Sequence, residues 1–182
     1  MLAAILIGLF VYVAVTSGSA PKPVASVQKQ FGCANPEMTT QTHFHVHLAI
    51  YVGGGPGTGQ PDPLQSSIGQ NVSGSTGFCW LHTHQITGNQ DSIIHVEAPT
   101  TRAAKGFTLG DFVKVWKLTN PDATLAPGGG QKEVVYVNGQ IHNGSVSSIP
   151  LKSLEDIEVE ILGPDQSPTQ PPAYTWPAGY GA

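Results

Sequence analysis

The chain has 182 residues, of which only 11% are charged, and its formal net charge is −4. Soluble domains average about 25% charged residues. Because binding to phosphates or to an anionic bilayer surface needs clustered cations, and no run of Lys or Arg is present, a nucleic-acid partner and a charged membrane surface are excluded as ligands. The length, with 22 glycines and 15 prolines, predicts one loop-rich, mostly β domain.

The amino terminus is an apolar segment. Residues 2–15 are almost continuously apolar, and small or polar residues follow up to Ala20. This pattern predicts residues 1–20 as a signal peptide or an N-terminal transmembrane anchor, since the length lies between those of the two. No Lys or Arg precedes the segment, so either the true start lies upstream or the α-amino group alone sets the orientation. We expect a membrane-anchored, extracytoplasmic chain, secreted if it is cleaved after Ala20.

The rest of the chain divides into three parts by composition. Residues 21–32 are polar and contain proline, which predicts a linker. Residues 33–162 carry the strand and helix patterns and form a single predicted domain. Residues 163–182 are a Pro-rich tail, which we expect to lie over the domain with Tyr174 and Trp176 as apolar anchors.

Within the domain, one helix is predicted among several short strands. Thr108 can cap a helix over residues 108–118, and Asp111 stands in a capping-box position. Asn138-Gly139 predicts a hairpin turn. Strands are predicted at 43–52, 64–68, 78–83, 92–98, 133–137 and 140–142, with a half-buried strand at 156–162. This order predicts an α+β fold, mostly β, with one helix packed on a small mixed or antiparallel sheet, for which the β-grasp arrangement is one candidate.

The two cysteines, Cys33 and Cys79, favour a disulfide, because an even count is typical of exported chains. The alternative is that Cys79 is a thiolate ligand beside His82, at C-x-x-H spacing. In a strand, positions 79 and 82 face opposite sides, which makes the disulfide the preferred interpretation.

Six of the seven histidines occur in sets spaced by two residues. These sets, with one nearby carboxylate, are His43, His45 and His47, then His82 and His84, then His95 followed by Glu97. In a strand, residues i and i+2 project to the same face, whereas on a helix they would point roughly 200° apart. Three neighbouring strands would therefore bring their imidazoles together, and we predict all seven residues as candidate metal ligands.

Neutral imidazole is a good ligand for zinc and for copper, which are the predicted metals. Six histidines exceed one tetrahedral site, so some orient other ligands or a second ion is bound. The alternative is a set of half-buried strand histidines that hydrogen-bond one another or the backbone. Glu97 is the strongest carboxylate candidate, as a ligand, as an orienting group or as a general base, while Glu37 and Asp91 are weaker. His142 stands apart and is left out of the site.

At these residues the chain resembles a group of bacterial proteins that have an N-terminal membrane segment and no assigned activity. The shared motifs are the His-x-His-x-His strand at 43–52, the Cys-x-Leu-His-Thr-His segment at 79–84, Ile-Ile-His-x-Glu at 93–97, Phe-Thr-Leu-Gly at 107–110 and Tyr-Val-Asn-Gly at 136–139. The resemblance covers most of residues 33–162 and implies an extracytoplasmic, membrane-tethered domain.

One departure from the group concerns the site. The group has Asp after the second His of the Thr-His pair, where this chain has Gln85, and the following connection, 86–92, is longer. If that Asp orients a ligand, Asp91 is its replacement here or the function is lost.

Three functions are compatible with the sequence. The first is an extracytoplasmic domain that binds copper or zinc for metal acquisition, storage or delivery. The second is a metal-dependent hydrolase or oxidase that uses the same histidines, with Glu97 as the base. The third is a structural cell-surface interaction domain. The near absence of methionine, at Met1 and Met38 only, argues against thioether-based transfer of Cu(I).

Overall fold

The computed structural model describes residues 24–33, 41–55, 67–72, 77–84 and 92–180. The predicted signal peptide or anchor, Glu37, Gln85 and Asp91 lie outside these ranges. Within them, no helix is both long enough and apolar enough to cross a bilayer.

The described elements are six strands, three α-helices and one 3-10 helix. The helices are α1 (Val24–Gln30), α2 (Thr100–Ala103) and α3 (Leu109–Trp116), and the 3-10 turn is Val146–Ser148. The strands are β1 (Thr42–Val52), β2 (Leu81–His82), β3 (Ile93–Ala98), β4 (Lys132–Val137), β5 (Gln140–Ile141) and β6 (Glu155–Leu162).

The strands form one mixed sheet in the order β2-β3-β1-β6-β4-β5. The two central strands, β1 and β6, are parallel, and each has an antiparallel neighbour on its other side, β3 and β4 respectively. Leaving out the two-residue β2, this is the β-grasp order, with α3 in the connection between the two halves of the sheet. The predicted α+β, mostly β fold is confirmed.

Helix α3 forms where its capping residues predict it. The Thr108 hydroxyl accepts a hydrogen bond from the Asp111 N–H, and the Asp111 carboxylate accepts one from the Thr108 N–H, both at 3.2 Å. Leu109, Phe112 and Val115 are fully buried and join the core under the sheet. The helix ends at Trp116, two residues before the predicted end.

Three local predictions differ from the structure. Helix α1 lies within the predicted linker, because Val27 packs against the core and Phe31, four residues later, is fully buried. The strand predicted at 78–83 is reduced to β2, because the Trp80 N–H bonds the Phe31 carbonyl instead of a neighbouring strand. Of the strand predicted at 64–68, the described end is a turn, with Ser67 at φ +73°.

The sheet has an apolar face and a polar face. On β1, Val46, Leu48 and Ile50 point into the core. The three histidines of β1 are at odd-numbered positions and therefore lie on the opposite face. Strand β6 is buried along its whole length, and the prediction that it is half-buried is wrong. Three of its four acidic side chains, those of Asp156, Glu158 and Glu160, lie on the polar face.

The polar face is covered by the carboxyl-terminal segment of residues 163–180, here called the C-terminal strap. The Thr169 N–H donates to the Glu160 carboxylate at 3.2 Å, and the Tyr174 N–H donates to Asp156 Oδ2 at 3.3 Å. The Tyr174 ring stacks on the His47 ring, with centroids 3.6 Å apart and planes 9° apart. The tail therefore packs on the domain through the aromatic ring of Tyr174. The Trp176 ring contacts that of Tyr174, with centroids 5.1 Å apart.

Candidate metal centre

Strand pairing brings three sets of histidines together. His95 on β3 lies directly opposite His45 on β1 and directly opposite His82 on β2. His43 on β1 is opposite Glu97 on β3, two residues along each strand from the pair of His45 and His95. Because paired residues project to the same face, all these side chains share the polar face, as the i, i+2 spacing predicts.

One group of potential ligands lies at the β2–β3 edge. Ligand atoms of His82, His84, His95 and Glu97 all lie within 4.8 Å of one another. The Nε2 atoms of His82 and His84 are 3.3 Å apart. Glu97 Oε1 is 3.8 Å from His82 Nε2 and 4.0 Å from His95 Nδ1. Three imidazoles and one carboxylate at this spacing match the ligand types of a four-coordinate zinc or copper site.

A second group shares His95. Ligand nitrogens of His43, His45 and His95 also lie within 4.8 Å of one another. The ring centroids of His43 and His45 are 4.5 Å apart, and those of His45 and His95 are 4.6 Å apart. Glu97 Oε1 is 3.3 Å from His43 Nε2, so this carboxylate also contacts the second group.

Backbone carbonyls fix the orientation of two of these rings. His82 Nδ1 donates to the Cys79 carbonyl at 2.9 Å, and His45 Nδ1 donates to the Tyr180 carbonyl at 3.2 Å. A carbonyl oxygen can only accept, so in each neutral ring Nδ1 carries the proton and Nε2 is unprotonated. The unprotonated Nε2 of His82 accepts a hydrogen bond from His84 Nε2 at 3.3 Å. Metal-binding histidines are typically held this way by their other nitrogen.

Three imidazoles of the cluster are held in the neutral form. Burial, together with the neighbouring histidines, lowers the pKa of His95 to about 2. Burial also lowers the pKa of His82 to about 3, despite the opposing hydrogen bond to Cys79, and lowers the pKa of His45. Neutral imidazole is the form that binds a metal ion, so protons compete weakly for these ligands.

His95 has a buried nitrogen without a partner. Its Nδ1 makes no hydrogen bond, although the residue is only 7% exposed. Burying a polar atom unpaired is costly. Glu97 Oε1 is 4.0 Å from this nitrogen, and a cation bound in the cluster would satisfy it.

Two histidines lie outside both groups. His47, predicted as a ligand with its strand neighbours, instead bonds Asp156 Oδ1 through Nδ1 at 2.6 Å. His142 follows β5 at the opposite edge of the sheet, as expected for a residue left out of the site. The structure therefore brings together His43, His45, His82, His84, His95 and Glu97, but not His47.

Cys33 and Cys79 form a disulfide, so the alternative of Cys79 as a thiolate ligand is wrong. The bond fixes the segment whose Cys79 carbonyl orients His82. No free cysteine is found in the described part of the chain.

Tyr180 was not predicted to contribute to the site. Its ring centroid is 4.4 Å from that of His45 and 6.1 Å from that of His95. The sequence contains only a weak signal for this contact, an aromatic residue in a Pro-rich tail, because 135 residues separate Tyr180 from His45.

Comparisons of the chain with protein-family models, with curated proteins and with solved structures gave no match. The chemistry of the site is therefore argued from its own residues.

Proposed function

We propose that this chain is an extracytoplasmic metal-binding domain that holds zinc or Cu(II) for acquisition, storage or delivery. The observation that carries the proposal is the convergence of His82, His84, His95 and Glu97, with ligand atoms within 4.8 Å of one another. The orientation of His82 by the Cys79 carbonyl supports metal binding, because it leaves Nε2 unprotonated and directed toward the cluster, 3.3 Å from His84 Nε2.

The donor set favours zinc or Cu(II) over Cu(I). Imidazole and carboxylate suit divalent borderline ions, while Cu(I) prefers thiolate and thioether sulfur. Both cysteines are in the disulfide, and the sequence has two methionines in all. An ion bound here is held by nitrogen and oxygen.

The proposed location outside the cytoplasm, with the membrane as a partner through the N-terminal segment, has two supports. Residues 2–15 are apolar enough to direct export. The disulfide is of a kind that persists in oxidising compartments and is rare in the cytosol.

The C-terminal strap supports metal handling over hydrolysis. The Tyr180 ring lies against His45, and the Tyr180 carbonyl accepts a hydrogen bond from His45 Nδ1–H. A hydrolase needs an open coordination position that a substrate can reach. Here the Tyr180 ring lies beside His45 and His95, which restricts the approach of a substrate on that side of the cluster.

The test is the metal content of the full-length chain and of two variants, after loading with zinc or Cu(II) and removal of excess ion. His95→Gln removes the residue that both groups share, and His142→Ala is the matched control at the far edge of the sheet. We expect the wild type and His142→Ala to retain metal and His95→Gln to lose it. Metal at 100 times its Kd should stabilise the wild type by about 2.7 kcal/mol. A wild type that binds neither ion and has an unchanged melting temperature would make the histidines a structural sheet face.

A further inference from the structure

The ligands of the polar face are too many for one ion. Five imidazoles and one carboxylate converge there, whereas a protein zinc site takes four ligands. They also separate into two sets. His82 and His84 lie on one side of β3, and His43 and His45 lie on the other side, on β1.

His95 is the contact between the two sets. Its ring centroid is 4.2 Å from that of His84 on one side and 4.6 Å from that of His45 on the other. His95 is the one residue that belongs to both compact groups of ligand atoms found in the described part of the chain. A histidine can bind two metal ions at once, one on each ring nitrogen, when its N–H proton is released to solvent and the ring becomes an imidazolate. Nδ1 of His95 is buried without a hydrogen bond.

Glu97 also reaches both sets. Its Oε1 is 3.3 Å from His43 Nε2 and 3.8 Å from His82 Nε2. Two divalent cations at neighbouring sites repel each other, and a carboxylate between them offsets part of that repulsion. The four unshared imidazoles bind as neutral ligands, so Glu97 and the deprotonated ring of His95 provide the negative charge that a pair of cations needs.

We propose that the polar face binds two divalent ions, zinc or Cu(II), one at His82 and His84 and the other at His43 and His45, with His95 and Glu97 shared between them. The proposal rests on the proposed function and adds a second site to it. The second ion binds more weakly than the first, because it enters beside an existing cation and its own two histidines bring no charge.

The test is the number of equivalents bound by the full-length chain, titrated with zinc alone and with Cu(II) alone. His84→Ala weakens the first site, and His43→Ala weakens the second. The His43 side chain is 48% exposed, so its removal should leave the fold intact, which circular dichroism checks. We expect two equivalents in the wild type and in the control His142→Ala, and one in each single-site variant.

Cu(II) gives an independent readout. Two neighbouring Cu(II) ions couple magnetically, so the paramagnetic resonance signal of the doubly loaded wild type should be smaller than two isolated ions would give. Each single-site variant should give the full signal of one isolated Cu(II).

The possible failures are distinct. One equivalent in the wild type, abolished by both His84→Ala and His43→Ala, would establish a single centre, overturning the second site and leaving the proposed function. One equivalent that is lost in His84→Ala but kept in His43→Ala would overturn the second site in the same way. No bound ion in the folded wild type would overturn both proposals.

Discussion

Two carboxylates on the polar face have opposite properties because their surroundings differ. Glu97 is 16% exposed in its side chain and lies beside the imidazoles, where a cation is favoured. Glu158 is 4% exposed, and its Oε2 makes no hydrogen bond. Burial, with Asp156 and Glu160 nearby, raises the pKa of Glu158 to about 8. At neutral pH Glu158 is therefore protonated, and Glu97 is the carboxylate available as a ligand.

Replacing Glu97 with glutamine should weaken metal binding without unfolding the domain. The substitution keeps the shape of the side chain and removes the negative charge next to His43 and His82. We expect the affinity for zinc to fall at least about tenfold, the lower end of the effect of changing groups around a metal site. Competition with a chromophoric chelator measures this change. Glu133→Gln on β4 is the matched control, and equal affinities in the two variants would remove Glu97 from the site.

Glu158 should make folding less favourable as the pH rises. Its pKa is about 8 in the folded chain and about 4.3 in an unfolded chain. Between these values the folded state binds more protons, so its contribution to stability is fully present below pH 4 and is lost as the pH rises toward 8. The effect is bounded by about 5 kcal/mol.

The test compares Glu158→Gln with the wild type by urea unfolding at pH 5 and pH 8. The variant has no ionisable group at position 158. Both proteins keep the other titratable groups that face this position, which are Tyr51, Tyr136, Asp156 and Glu160. We expect the wild type to lose more stability than the variant between the two pH values. Parallel pH dependence would mean that Glu158 is ionised throughout.

At the scale of elements, the C-terminal strap is held by polar bonds and by one stacked pair. Backbone N–H groups of Thr169 and Tyr174 donate to carboxylates of β6, and the Tyr174 ring lies on His47. Further along the strap, the Tyr180 carbonyl accepts a hydrogen bond from His45 Nδ1. Among these contacts, the stack of Tyr174 on His47 therefore holds the strap at the point nearest in sequence to Tyr180, which contacts the metal centre.

Removing the Tyr174 ring should loosen the strap and expose the centre. Tyr174→Ala deletes the stacking contact, worth about 1 kcal/mol beyond the lost burial, and leaves the backbone bonds in place. We expect faster transfer of bound zinc to an external chelator and faster proteolysis of the tail. Tyr174→Phe keeps the ring and should behave like the wild type. Equal transfer rates in all three proteins would show that the strap does not control access.

At the scale of the whole molecule, the sequence predicts what depends on short spacing. The i, i+2 histidines, the Thr108 capping box and the Asn138-Gly139 turn were all predictable from neighbours in the chain, and with them the fold class. His47 shows the limit of the rule, since it has the right spacing, but β6 places Asp156 opposite it and the pair bonds. That parallel pairing joins residues 109 positions apart. The periodicity of a single strand contains no information about such a distant partner.

Two further predictions, a linker at residues 21–32 and a half-buried β6, differ from the structure for the same reason. Helix α1 depends on Phe31 entering a core built by distant strands, and full burial of β6 depends on a strap that begins after it. Contacts over long sequence separation are set by three-dimensional packing, for which a single sequence has no local signal.

The Cys33–Cys79 disulfide connects the stability of the whole chain to the metal centre. It closes a loop with a sequence separation of 46, for which loop-closure entropy gives about 4 kcal/mol. The same bond holds Cys79, whose carbonyl orients His82. The double variant Cys33→Ala, Cys79→Ala should therefore lose both stability and affinity for zinc.

A second destabilised variant separates these two effects. Thr108→Ala removes the α3 cap, at a cost of about 1 kcal/mol, and Thr108 is not among the residues that converge at the centre. We expect it to melt at a lower temperature with unchanged zinc affinity, whereas the cysteine variant should bind zinc more weakly even at temperatures where it is fully folded. If the folded cysteine variant binds zinc as tightly as Thr108→Ala does, the disulfide stabilises the chain without positioning His82.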